Sequence, residues 1–241
     1  MARDQATPDL RALHDWLSRR GGCLPTEIDV AAVGVREKAP FFVLCLRECL
    51  LWRVEELSRN ATAALERGDE AVGIILARCV TEAAAMMWRL LKLIENRAEH
   101  GISAINEDVR RMWLGWKVDP DDLPEAINVM TMLRHLDRDM PGVLKAYDHL
   151  SEFAHPNWNG VAGLYCRTDY EDHIAYFGRQ ARGDSNTTAA CNLLVGALGT
   201  FQHAYNELAE VIPVWLSELT PMWADDEVAA VESTDDNAHK W

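Results

Sequence analysis

None of the six cysteines (Cys23, Cys45, Cys49, Cys79, Cys166 and Cys191) pairs with another in a C-x-x-C motif. Their scatter argues against a structural zinc site or a disulfide framework. Cys45 and Cys49 stand one helical turn apart in an apolar stretch, where they are expected to act as small buried hydrophobes. The N-terminus, MARDQATPDL, lacks the apolar segment of a signal peptide. The most apolar run, PFFVLCLRECLLW, is interrupted by Arg47 and Glu48 and is too short to span a bilayer. A cytoplasmic protein with no membrane partner is the expectation. Basic residues are also scarce, with 24 against 38 acidic ones for a net charge of −14. That disfavours RNA as a partner, because backbone binding needs a basic stripe, and leaves room only for a local basic cleft. There is no internal repeat and no low-complexity linker, so residues 1–222 read as one domain. Six acids against Lys240 make the segment 223–241 an acidic, disordered tail in this reading.

What the sequence does have is helical periodicity. Pro8 and Asp9 open an amphipathic helix that Gly21 and Gly22 close, packing 8–20 onto the rest. After a loop, Pro40 opens a long helix to about Glu66, and Arg67-Gly68-Asp69 connects it to a second long helix from Glu70 to Ala98. So short a link requires the two to be antiparallel. Shorter helices are expected over 104–118 and 123–139, and another from Pro141 into the stretch YDHLSEFAHPNWNG (147–160). A final long helix spans Thr187–Leu219, with Pro213 expected to kink or interrupt it. Between them, GLYCRTDYEDHIAYFG has β-branched and aromatic residues around an acidic turn. The fold class is therefore all-α: a bundle of four to five principal helices with a short extended segment or hairpin near 161–178.

The stretch YDHLSEFAHPNWNG holds the chemistry. A residue before proline avoids the α conformation, so His155 should end its helix, with Asn157 and Asn159 in the turn and Gly160 supplying a positive φ. Tyr147, Leu150, Phe153 and Ala154 form the core face. Ser151 and His155 lie one turn apart, as do Asp148 and Glu152. On the second long helix, ILARCVTEAAAMMWRLL sets Arg78 and Glu82 one turn apart among apolar residues. Charges in such company are seldom buried without partners. The expectation is one internal polar cluster in which Arg78 and Glu82 meet the His155 turn.

An L-x-R-x-x-x-E helix followed by Y-D-x-L-S-E-F-x-H-P-N-x-x-G resembles a group of uncharacterised bacterial all-helical proteins. The matching residues are Arg78 and Glu82, then Tyr147, Asp148, Leu150, Ser151, Glu152, Phe153, His155, Pro156, Asn157 and Gly160. The likeness runs over roughly residues 40–215 and is distantly similar to HEPN proteins, helical bundles that often act as metal-independent ribonucleases. That wider resemblance implies an Arg with four to six residues between it and a following His. Those positions before His155 hold Leu150, His149 and Asp148. Arg167 and His173 have the spacing, but in the extended segment.

Two functions follow. The first is a binding or regulatory module, of a bacterial stress or defence kind, whose polar cluster uses Tyr147, Ser151, Glu152, Asn157 and Asn159 for recognition. The alternative is a HEPN-like ribonuclease with His155 as general acid or base, Arg78 stabilising phosphorane charge and Glu82 beside them. A protein partner or a homodimer is compatible with either. No cofactor and no metal is implied: Glu152-x-x-His155 is one such pair, and a di-iron bundle needs two plus two further glutamates. Trp52, Trp88 and Trp215 read as core. RRMWLGWK, with Arg110, Arg111, Trp113, Trp116 and Lys117, is the one compact basic-aromatic patch, a helix end that packs on a neighbour or docks a partner.

Overall fold

The computed structural model describes residues 8–116, 123–181, 183 and 185–219. The segment 223–241 and Lys117 lie outside them. Among the described residues the chain is all-α with one hairpin. In order, it runs α1 (Pro8–Arg20), α2 (Val30–Val33), α3 (Ala39–Arg67), α4 (Glu70–Glu95), α5 (Arg97–Trp113), α6 (Val129–Asp139), α7 (Val143–Ala154), α8 (Ala162–Tyr165), β1 (Cys166–Asp169), β2 (Ile174–Phe177) and α9 (Ser185–Ser217).

Helix α4 is the centre, packed by α3, α9, α6 and α7. Its residues Ile74, Ala77, Val80, Ala84, Met87, Leu91 and Ile94 are buried. Each large apolar side chain among them contributes about 1.5–3 kcal/mol of transfer free energy. By length and composition alone α4 could cross a membrane, which the run at 40–52 could not. Here its apolar surface is instead the wall that α3 and α9 cover. Gly68, at φ 77°, makes the sharp stop between α3 and α4, with its N–H on Leu65 O (3.1 Å) and that of Asp69 on Ala64 O (2.9 Å). A side chain at Gly73 would collide with Leu65, so the antiparallel pair closes to near contact.

Several boundaries differ from the sequence reading, each for a local reason. The second long helix ends at Glu95 rather than Ala98, because Asn96 (ψ 21°) leaves the helical path and Arg97 starts α5. Gly101 does not close that helix. At φ 71° and ψ 157° it kinks α5, which ends at Trp113. Residues 123–128 are not helical: Trp116 N–H bonds Pro124 O (3.0 Å) and Ala126 N–H bonds Trp116 O (3.1 Å). Helix α6 starts only where the Asn128 side chain accepts from Met130 N–H (2.8 Å). Asp137 Oδ1 accepts from the N–H groups of Gly142 (2.9 Å) and Leu144 (3.0 Å), so α7 begins after Pro141. Pro213 does not interrupt α9, which continues to Ser217. Ile212 and Trp215 are buried on either side of the proline and hold that last turn. The hairpin is present as antiparallel β1–β2, with Cys166 opposite Phe177 and Asp169 opposite Ile174.

Three side chains expected inside are not. Cys49 is exposed and Cys45 only half-buried. Trp52 is 47% exposed, its indole N–H held by Pro25 O at 2.7 Å. These three positions fall on the face of α3 opposite its buried stripe (Val43, Leu46, Leu50, Val54, Ala61 and Leu65), beside Pro25, Ile28 and Trp113. Trp88 and Trp215 are core.

Candidate functional site: a tyrosine-bridged charge pair and the hollow beside it

Helical spacing puts Arg78 and Glu82 on one side of α4, and α7 brings Tyr147 over them. Tyr147 is 4% exposed. Its hydroxyl accepts from Arg78 Nη2 (2.7 Å) and donates to Glu82 Oε1 (2.7 Å), while the guanidinium carbon lies 4.8 Å from the ring centroid. Arg78 and Glu82 are 3.8 Å apart, with 20% and 30% of their side-chain surface exposed, so the pair is partly rather than fully buried. Burial raises the Tyr147 pKa, as does the bond to Glu82, against the lowering effect of Arg78. The phenol therefore keeps its proton and its donor role. Charges of opposite sign joined through a neutral hydroxyl bind α4 to α7 at no net charge.

His155 does not join this cluster. It ends α7 at φ −95° and ψ 151°, the extended geometry its proline imposes. The residue is exposed, and no hydrogen bond or ion pair links its ring to Arg78, Glu82 or Tyr147. It lies eight positions beyond Tyr147, about 12 Å along the helix axis. The other residues of the stretch are engaged locally. Ser151 Oγ donates to Tyr147 O (2.8 Å). Asn157 donates to Glu152 Oε2 (2.7 Å) and accepts from Gly160 N–H (3.0 Å). Asn159 is half-buried and makes no side-chain hydrogen bond among the described residues. Gly160 does not have a positive φ. It is needed for close approach instead, because a Cβ there would strike the carbonyl oxygens of His155 and Phe153. Arg167 stacks on Tyr176 at 4.5 Å, and His173 sits in the hairpin turn at φ 56°.

Glu82 also forms part of the wall of a hollow of about 290 Å³. Leu50 and Arg53 of α3, Cys79 and Met86 of α4, Arg111 and Met112 of α5, and Ile127 and Met132 complete most of its lining. The basic-aromatic patch thus divides. Arg111 faces this hollow and donates to Glu125 O (3.0 Å), while Trp113 packs on the core and Trp116 is 55% exposed. Gly115 has room for no side chain against Ala126, which brings the chain after α5 close enough to close one wall. Arg53 is exposed and makes no hydrogen bond or ion pair among the described residues. A larger groove of about 450 Å³ lies between α4, α7 and α9, lined mainly by Ala, Gly, Leu and Val. Among the described residues no three His, Cys, Asp or Glu side chains come together as metal ligands.

A second charge cluster, outside the sequence expectations, joins α3 to α9. Arg47 lies 3.6 Å over the Tyr205 ring and pairs with Glu48, and Tyr205 Oη donates to Glu48 Oε2 (2.7 Å), tying α3 to α9. Its signal was the Arg47–Glu48 break in the apolar run, two charges with no reason to be there unless partnered.

No family model matches this chain, and neither does any curated protein or solved structure.

Proposed function

We propose that the chain is a helical binding module that takes a small apolar molecule with an anionic end in the hollow beside Glu82. The observation that supports it most directly is Arg53, a cation with no hydrogen bond or ion pair among the described residues, on the wall of a methionine-rich hollow whose other charged residues are Glu82 and Arg111. Sites for small molecules combine that kind of lining with a few convergent polar groups. Met86, Met112 and Met132 adapt to irregular apolar shapes. Arg53 supplies a charge-assisted hydrogen bond to a carboxylate. The Arg78–Tyr147–Glu82 cluster keeps the α4 wall in register without offering a free charge. The larger α4–α7–α9 groove gives less to recognise a ligand by, since its exposed polar groups are Asn192 and His149. The ribonuclease reading draws less support, because it requires an acid or base beside Arg78 and the His155 ring makes no contact there.

Titrating hexanoate or benzoate into 15N-labelled protein tests the reading. Saturable shifts are expected at the amides of Gly115 and Ala126. Arg53→Ala should weaken binding about tenfold, the equivalent of ~1.4 kcal/mol. Met86→Trp, which fills the hollow, should abolish it. The absence of saturable shifts with either carboxylate, or full affinity in Arg53→Ala, overturns the proposal.

A further inference from the structure

The hollow beside Glu82 carries a second cation, which a single carboxylate does not use. Arg53 comes to it from α3 and Arg111 from α5, and they are two of the three charged residues on its wall. The third, Glu82, accepts from Tyr147 and lies 3.8 Å from Arg78, so its charge is already offset. Arg111 is half-buried, and its Nε donates to Glu125 O at 3.0 Å. That bond fixes the side chain and leaves both Nη groups without a hydrogen bond among the described residues. Neither arginine forms an ion pair among those residues. The Cys79 thiol on the same wall is pushed up by burial and then by Glu82, and Arg53 acts against both, which puts the Arg53 charge close to the hollow. In a chain with 38 acidic residues against 24 basic ones, an arginine meets a carboxylate more readily than a second arginine. Two unpaired guanidiniums on one hollow repel each other, and an anion between them removes that cost.

We infer that the anionic end of the ligand is a phosphate monoester, so that the hollow takes a short alkyl or aryl phosphate with Arg111 as a second phosphate-binding residue beside Arg53. The inference rests on the function proposed above for this hollow and narrows its ligand. A carboxylate carries one charge and presents one edge, which a single guanidinium fork fills. A phosphate monoester carries about −1.5 to −2 near neutral pH and three acceptor oxygens. Those oxygens point in different directions, so forks arriving from α3 and α5 each find their own. The apolar body lies against Met86, Met112 and Met132.

Titrations of the 15N-labelled full chain with hexyl phosphate, hexanoate and inorganic phosphate test this, read at the amides of Gly115 and Ala126. Hexyl phosphate should bind about tenfold more tightly than hexanoate, through the second charge-assisted contact. Inorganic phosphate lacks the apolar body and should bind more than about tenfold more weakly than hexyl phosphate. Arg111→Met keeps the bulk of the side chain, removes its fork and should erase the advantage of hexyl phosphate over hexanoate. Because Arg111 also holds Glu125 O, a pH series separates charge recognition from a displaced wall. Lowering the pH from about 7.5 to about 5.5 removes the second phosphate charge, whose pKa is ~6, and leaves hexanoate ionised. Wild type should then lose affinity for hexyl phosphate several-fold relative to hexanoate, and Arg111→Met should show no such loss. Equal affinity for hexanoate and hexyl phosphate overturns the inference and leaves a carboxylate ligand standing. An advantage that survives Arg111→Met, or inorganic phosphate binding as tightly as hexyl phosphate, overturns it as well. Saturable shifts with none of the three overturn both this inference and the function it rests on.

Discussion

Tyr147 donates its hydroxyl proton to Glu82 at 2.7 Å, across the contact between α7 and α4. Tyr205 does the same to Glu48 at 2.7 Å, across the contact between α9 and α3. In both cases an arginine next to the glutamate lies over the tyrosine ring, Arg78 at 4.8 Å and Arg47 at 3.6 Å. Each cluster balances its own charge, which is how a chain of −14 carries ion pairs at these two helix contacts.

Tyr147→Phe keeps the ring and removes the oxygen that two charges share. Hydrogen bonds to charged groups contribute about 1.5–3 kcal/mol, and water reaches part of Arg78 and Glu82, so the expected loss is ~1–2 kcal/mol. A lower urea midpoint at unchanged slope is the readout. An unaltered midpoint would show that the bridge contributes nothing to stability.

Two glycines should respond with opposite sign. Gly160→Ala drives a methyl into the His155 carbonyl and should destabilise by ~1–3 kcal/mol. Gly199→Ala, within α9 and with open space around it, should stabilise by ~0.5–1 kcal/mol. Thermal unfolding of the two variants side by side checks both.

Helices with one apolar stripe were legible because periodicity and burial coincide: α1, α3, α4 and α9 lie close to where the spacing put them. The short elements were harder, because long-range bonds set them. Nothing near Pro124 shows that Trp116 will hold residues 124–126 extended, and Asn128 becomes a cap only once that happens. The Arg78–Glu82 pair is visible as charge in apolar company, and Tyr147 belongs to the stretch that carries the resemblance. That Tyr147, and not His155, reaches the pair follows from the rotation of α7, which no single sequence reveals. Arg47 and Glu48 carried the same signal as Arg78 and Glu82, and adjacency in place of i,i+4 spacing hid it.

Alkaline pH should expose the second cluster. Burial first, and then the bond to Glu48, pushes the Tyr205 phenol up to about 12, against the lowering effect of Arg47. The folded value lies above the unfolded value of ~10, so the protonated phenol favours the folded state. Its contribution is complete below the unfolded value and is lost as pH rises toward the folded one. Urea unfolding of wild type should weaken through that window, and Tyr205→Phe should lose less over the same range. Parallel pH profiles for the two proteins would refute the assignment.

His155→Ala separates the two functions read from the sequence. The residue is exposed and its ring has no partner among the described residues, so stability should change by less than ~0.5 kcal/mol. Arg78→Ala, which leaves Tyr147 and Glu82 without their cation, should cost more, and the contrast marks which residue the bundle depends on. In a ribonuclease, loss of the general acid or base lowers cleavage by ~10²–10⁴-fold. The expected result is a stable His155→Ala protein and no RNA cleavage by pure wild type for the substitution to remove. Wild-type cleavage that His155→Ala abolishes would establish the enzyme in spite of the missing contact. It would also mean that His155 acts from the end of α7 on a substrate that bridges the gap to Arg78.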